Sequence, residues 1–308
     1  MSWDDGLTSE QAAAARHVGQ HARLLAGPGT GKTRTLTSRV AYLITQTKVP
    51  SDKILALTFT RAAAAELRSR VAAIVGSDTE NVPQISTLHS FALQTILRHG
   101  ASDRLPSPIR IADDYEERWI IEEDVKRILD LERIEDARDL IEQLSADWER
   151  LMADIEEWDT RFPDPQFLGV WREHRTVFGY TLRAELVYQL KRALEEGAVQ
   201  LTGTPQHLLV DEYQDLNACD LAVVRSFATN GSELYAAGDD DQSIYGFRYA
   251  NPEGIRRFTE DYAPAADLTL RECQRCSPRV LDIARFVARQ DPRRIDKPLF
   301  PKQGSPPG

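Results

Sequence analysis

Three cysteines in 308 residues are too few for a disulfide framework, so a reducing, cytoplasmic setting is expected. No apolar run approaches the roughly 18 residues of a membrane span, so no membrane partner is expected. The opening residues, MSWDDGLTSEQ, lack the basic-then-apolar order of a signal peptide, and no internal repeat is visible. Net positive charge is missing as well: 38 Lys and Arg stand against 48 Asp and Glu, a formal charge of −10. That would disfavour a polyanionic partner if the acidity were spread evenly, but it is local. Residues 105–177 hold 10 basic and 21 acidic residues, and the remainder holds 28 and 27. A near-neutral remainder can still present a basic or aromatic groove. What the chain has in plenty is core-forming material: 42% hydrophobic with 28% charged is a globular balance and excludes disorder for the bulk of the chain.

The length allows two or three domains. Short apolar runs alternate with helical periodicity. Residues 23–26 read as a buried strand, followed by a Gly-rich turn and a helix over 32–45. Residues 53–59 read as a strand before a helix over 61–75, and 84–88 as a strand before a helix through 97. The pattern breaks at Leu105-Pro106-Ser107-Pro108 and is helical from 115 to 171. There Leu140, Leu144, Trp148, Leu151, Ile155 and Trp158 recur at helical steps, predicting one continuous face with its tryptophans in a core. Strands resume at 207–210, 233–237 and 267–270. The expected fold is α/β: a parallel sheet covered on both faces, interrupted by an all-helical insertion. The expected division is a discontinuous core at 1–104 and 178–272, an acidic helical insertion at 105–177, and a short remainder at 273–308 with a disordered tail from Lys302.

Ala26-Gly27-Pro28-Gly29-Thr30-Gly31-Lys32-Thr33 lies between a predicted strand and a predicted helix, the context a P-loop requires. Glycines let backbone N–H groups turn inward on phosphates, and the helix N-terminus favours negative charge. Lys32 would reach the β- and γ-phosphates, and the Thr33 hydroxyl would bind Mg²⁺. Ala26 stands where the strict pattern begins with Gly. A second anchor is supplied by Asp211-Glu212 at the end of an apolar strand, read as a neighbour of the first. Asp211 would hold Mg²⁺ and Glu212 would activate the attacking water.

Asp211-Glu212-Tyr213-Gln214-Asp215 and the segment from Gly238-Asp239-Asp240-Asp241-Gln242 to Tyr245-Gly246-Phe247-Arg248 resemble motifs II and III of superfamily 1 DNA helicases of the UvrD/Rep/PcrA type. Leu7-Thr8-Ser9-Glu10-Gln11 resembles the Q motif, residues 56–60 motif Ia, 86–90 the next DNA-side motif, and 270–277 motif IV. The resemblance implies a RecA-like P-loop NTPase core whose helical insertion is the family's subdomain. It implies ATP and Mg²⁺ as cofactors, with Gln11 on adenine, Arg34 near the base, Gln242 sensing the γ-phosphate and Arg275 contacting it. Phe59, Tyr245 and Phe247 would stack on bases of single-stranded DNA, with Thr60, His89 and Arg248 contacting the strand or coupling it to ATP. Core packing is the competing reading for all three: Phe59 follows an apolar strand, and Tyr245 and Phe247, two apart, share one face if extended.

Motif IV usually reads Asn-Tyr-Arg-Ser; here it is Cys273-Gln274-Arg275-Cys276, so the adenine-stacking tyrosine is Gln274. Metal or redox use of this Cys-x-x-Cys has no further ligand spacing to support it. The expected function is an ATP-dependent helicase or translocase, 3′→5′ by resemblance, acting on single-stranded DNA and single-strand/duplex junctions in repair or recombination, with repair proteins as partners. Motifs V and VI would lie beyond Gly308, so the chain is expected to be a monomeric fragment that unwinds poorly. A regulatory ATP- and DNA-binding module and the motor part of a helicase–nuclease are the alternatives.

Overall fold

The computed structural model describes residues 2–76, 82–99, 105–201, 205–246 and 249–306. The chain forms two compact units: Met1–Leu88, Leu201–Leu216 and Arg225–Gly308 make the first, His89–Gln200 and Asn217–Val224 the second.

The first unit is built on a six-stranded parallel sheet. Its strands are β1 (His21–Ala26), β2 (Ile54–Thr58), β3 (Gln84–Thr87), β4 (His207–Val210), β5 (Glu233–Gly238) and β6 (Ala265–Leu270), in the order β3-β2-β4-β5-β1-β6. β1 to β5 are buried along nearly their whole length, as strands covered on both faces must be; β6, at the edge, is only partly buried. α1 (Ser9–Arg16), α2 (Lys32–Thr45) and α3 (Arg61–Val75) flank it. Leu36, Val40 and Leu43 of α2 recur on one face and pack with Leu24, Leu209 and Tyr235 in a single core. The starts of these helices have local causes. Thr8 and Gln11 form a reciprocal capping box on α1, and the Thr60 hydroxyl accepts from the Ala63 N–H at the start of α3. The expected helices over 32–45 and 61–75 match the observed ones residue for residue.

One expectation about the sheet is corrected. β4, which leads into Asp211, is not the neighbour of β1; β5 lies between them. Periodicity within a strand carries no information about which strand it pairs with.

The second unit is helical. α4 (Leu88–His99) leads into it, and α5 (Ile134–Glu149), α6 (Pro165–Phe178) and α7 (Arg183–Glu195) form its body. It extends beyond residues 105–177, because α7 and most of α4 group with it. The continuous face expected from Leu140 to Trp158 does not exist. α5 stops at Glu149, and Leu151 and Glu157 both adopt left-handed backbone with φ of 60°. Leu144 and Trp148 are buried on α5, whereas Ile155 beyond the break is exposed. Trp148 and Trp171 pack at 5.4 Å in the core, but Trp119 is 65% exposed, so the tryptophans are not uniformly internal. Among the described residues no helix is long and apolar enough to cross a membrane.

α8 (Ala218–Thr229) precedes β5, and α9 (Pro278–Ala288) follows the short β7 (Glu272–Cys273), which pairs in parallel with β8 (Phe300–Pro301). The tail expected to be disordered from Lys302 is tied down where it starts, since the Lys302 N–H donates to the Cys273 carbonyl at 2.9 Å.

Candidate nucleotide-binding site

β1 ends at buried Ala26, and the chain then turns through residues 27–31 into α2. The turn closes on itself: the Thr30 N–H and hydroxyl both donate to the Gly27 carbonyl, at 3.2 and 2.8 Å. Gly29 and Gly31 have φ of 71° and 88°, values that favour glycine. Space demands glycine as well. A Cβ on Gly31 would come within 2.4 Å of the Gln11 amide nitrogen, and one on Gly29 within 2.7 Å of Arg275 Cβ and 2.9 Å of Cys273 Sγ. Gly31 caps α2 with no side-chain hydrogen bond, so this helix end is open to an anion. Pro28 lies half-buried in the turn, and Thr33 half-buried in the first turn of α2.

Lys32 crosses from this loop to the tip of β4. Its Nζ is bonded to Glu212 and lies 3.7 Å from Asp211 Oδ1. The crossing passes the end of β5, which is Gly238. A Cβ there would meet Gln214 Oε1 at 2.3 Å, so a side chain at this strand end would collide with the chain after β4. Burial pushes the Asp211 carboxyl up to about 6, with Lys32 opposing and Glu212 adding to the rise. Burial and Glu212 also push Asp215 up to about 6. Glu212 sits in left-handed backbone, φ 53°, uncommon for a residue with a side chain. Two carboxylates share the one Lys32 amine, with Asp215 beside them in sequence, and carboxylate oxygens next to an anion-accepting helix end fit a hard divalent cation bound together with phosphate.

Gln214 was not singled out from sequence, yet it joins the two acidic motifs. Its Nε2 donates to Glu212 at 2.8 Å and its Oε1 accepts the Asp239 N–H at 3.0 Å. The signal lay in its place two residues after Glu212, in a motif already quoted. Gln242 in turn donates to Asp239 Oδ2 at 2.6 Å. A second unforeseen feature is Lys297, whose amine contacts Asp239, Asp240 and Asp241 at 2.7 to 2.8 Å. Burial raises the Asp241 carboxyl, but Arg294 and Lys297 outweigh that and hold it below its ordinary value.

Gln11 is buried, and its amide is engaged at both ends: Oε1 accepts from the Thr8 N–H and Nε2 donates to the Thr30 carbonyl at 2.8 Å. It therefore ties the first helix to the P-loop. Arg34 is exposed and donates to the Asp5 carbonyl at 2.8 Å. Arg275 is exposed and adjoins Gly29, and the Gln274 N–H donates to the Gly29 carbonyl at 2.9 Å. Phe59 and Tyr245, half-buried, pair with ring centroids 5.0 Å apart. Thr60 caps α3. His89 is half-buried at the start of α4 and groups with the helical unit. Phe247 and Arg248 lie outside the described residues.

Residues 7–263 match the UvrD/REP helicase N-terminal domain family. The chain is 29% identical over 311 residues to the ATP-dependent DNA helicase PcrA of Leuconostoc citreum, covering 97% of this chain and 41% of that protein. It is 32% identical over 333 residues to the ATP-dependent DNA helicase UvrD1 of Mycobacterium leprae, again covering 97% of this chain and 41% of the relative. This chain thus spans about two-fifths of the length of these relatives. Among solved structures, the Pif1 helicase of Candida albicans aligns with a TM-score of 0.37 at 16% identity, over 85% of this chain and 40% of that one. The P-loop, the acidic strand tip and the parallel sheet that brings them together are those of a RecA-like core, and the chain belongs to the UvrD/REP helicase N-terminal domain family.

Proposed function

We propose that this chain is the ATP-binding motor core of a DNA helicase or translocase that moves 3′→5′ on single-stranded DNA and at single-strand/duplex junctions, in cytoplasmic repair or recombination alongside repair proteins. In this reading the sheet unit up to residue 272 is the first RecA-like core, the helical unit, which contains residues 105–177, is its insertion, and residues 273–308 open a second core. The observation that carries it is the Lys32 amine within 3.7 Å of Asp211, brought there from the loop after β1 across the end of β5.

The N–H groups of Gly29, Gly31, Lys32 and Thr33, at the open end of α2, bind the phosphates. Lys32 exchanges its carboxylate partners for phosphate oxygens, which frees Glu212 to accept a proton from an attacking water. The Thr33 hydroxyl and Asp211 would hold Mg²⁺, which would supply charge neutralisation at the phosphates. Gln214, Asp239 and Gln242 form a hydrogen-bonded chain from Glu212 toward the aromatic segment at Tyr245, so a change at the phosphates has a physical route to the DNA side. Gln242 reads the γ-phosphate state at one end of that chain, and Arg275 meets the same phosphate from beside Gly29. Gln11 and Arg34 approach the base. Phe59, Tyr245 and Phe247 stack on DNA bases, and Thr60, His89 and Arg248 hold the strand. Stacking suits a protein with an overall charge of −10.

Equilibrium binding of a fluorescent ATP analogue with Mg²⁺ tests the first half. Lys32→Ala is expected to weaken it by roughly tenfold to a hundredfold, the loss of a charge-assisted hydrogen bond; unchanged affinity would remove the P-loop assignment. For the second half, Tyr245→Ala is expected to reduce oligo-dT binding by about 1–3 kcal/mol. A steep salt dependence of the unmutated chain would count against stacking.

A further inference from the structure

The Cys273-Gln274-Arg275-Cys276 turn is absorbed only in part by the reading above, which uses Arg275 and leaves two thiols without a task. The turn folds its cysteines together: the Cys276 N–H donates to Cys273 Sγ at 3.3 Å. Both are free thiols, with Cys273 buried and Cys276 half-buried. The turn also sits directly on the P-loop. The Gln274 N–H donates to the Gly29 carbonyl at 2.9 Å, and Cys273 Sγ and Arg275 Cβ occupy the space a Cβ on Gly29 would take. On its other side the Cys273 carbonyl accepts from the Lys302 N–H at 2.9 Å. The turn is thus held at Cys273 by hydrogen bonds on two sides, and Cys276 leads into α9, whose cap is Ser277. Between the cysteines lies Arg275, the one cation of the turn.

We propose that Cys273 and Cys276 form a reversible disulfide that moves Arg275 and so lowers the affinity of the neighbouring P-loop for nucleotide. A disulfide needs its two Cα atoms within about 7 Å, and the 3.3 Å approach of the Cys276 N–H to Cys273 Sγ holds the two residues together in one turn. In the step, two S–H bonds break and one S–S bond forms. The two electrons and two protons reduce one hydrogen peroxide to two waters. Reduction by a dithiol reverses it through a mixed disulfide. Burial and the adjoining Cys273 thiol raise Cys276 above the ordinary thiol range. The coupling to nucleotide rests on the proposed role of Arg275; the bond itself does not.

The experiment treats the 308-residue chain with hydrogen peroxide, divides it, and reduces one half with dithiothreitol. Trypsin cuts after Arg271, Arg275 and Arg279, so peptides 272–275 and 276–279 stay joined only through this disulfide. The joined pair is expected in the oxidised sample and not in the reduced one. The ATP analogue is expected to bind the oxidised chain about tenfold more weakly, the size of one lost charge-assisted contact, with recovery on reduction. Cys276→Ser is expected to bind nucleotide as the reduced chain does and to ignore peroxide. Separate peptides carrying sulfinic acid instead of a bond would overturn the disulfide. A joined pair with unchanged nucleotide affinity would overturn the coupling. A joined pair in a chain that binds no nucleotide in either state would sink the coupling together with the nucleotide site, while leaving the bond established.

Discussion

Two glycines with left-handed backbone separate conformational strain from contact. Gly19 has φ of 97° with nothing within 4 Å of where a Cβ would stand. Gly31 has φ of 88°, but its Cβ would displace the Gln11 amide from Thr30. Gly19→Ala is therefore expected to cost about 1 kcal/mol in urea unfolding and to leave nucleotide affinity unchanged. Gly31→Ala is expected to cost about 1 kcal/mol more, for the lost hydrogen bond, and to weaken nucleotide binding as well. Equal losses from the two variants in both measurements would show that the Gln11 tie to the loop contributes nothing. The turn after β1 was legible from the sequence because it is contiguous: Gly29, Gly31, Lys32 and Thr33 lie within a few residues where the strand gives way to α2. Gln214 and Lys297 were not: Gln214 also takes the Asp239 N–H from another loop, and the partners of Lys297 lie 56 to 58 residues earlier in the chain.

At the scale of an element, helix ends were read well where a local cap marks them and poorly where the chain reverses without one. α3 begins at the Thr60 cap, whose hydroxyl accepts from the Ala63 N–H at 3.1 Å. Thr60→Ala is expected to lower stability by about 1 kcal/mol and Thr60→Ser to restore it. Thermal or urea melts of both variants decide this; a loss of DNA affinity with no loss of stability would assign Thr60 to the strand instead of the cap. The break after α5 has no Pro or Gly to announce it. The apolar periodicity runs on through Leu151 and Ile155, and only the left-handed φ at Leu151 and Glu157 reveals that the chain has turned. Such turns are stabilised by packing that a one-dimensional pattern does not contain.

Across the whole sheet, one ion pair joins α2 to β5 far from the nucleotide loop. Arg39 is fully buried, lies 4.1 Å from the centre of the Tyr235 ring, and donates to Glu233 at 2.7 Å. Burial raises the Glu233 carboxyl, but His207, Arg39 and the Gly19 N–H outweigh it and hold its pKa below the ordinary value. A carboxyl whose pKa is depressed by folding stabilises the folded state above its unfolded value. That contribution disappears as pH falls through the folded value, because the unfolded chain then no longer binds more protons. Urea stability is therefore expected to fall as pH drops below about 4.5. Glu233→Gln should be less stable at pH 7 and should flatten this acid limb; an unchanged limb would place the acid sensitivity elsewhere.

The order of strands and helices, the phosphate loop and the acidic motif were determined by the sequence alone, since each depends on neighbours within a few residues and on a repeat of two or of 3.6. The tertiary structure decided which tips face each other. Asp211 follows a strand next but one to the P-loop strand, yet it lies 3.7 Å from the amine of Lys32, 179 residues earlier. Strand order is set by how whole faces pack into one core, a property no single segment carries.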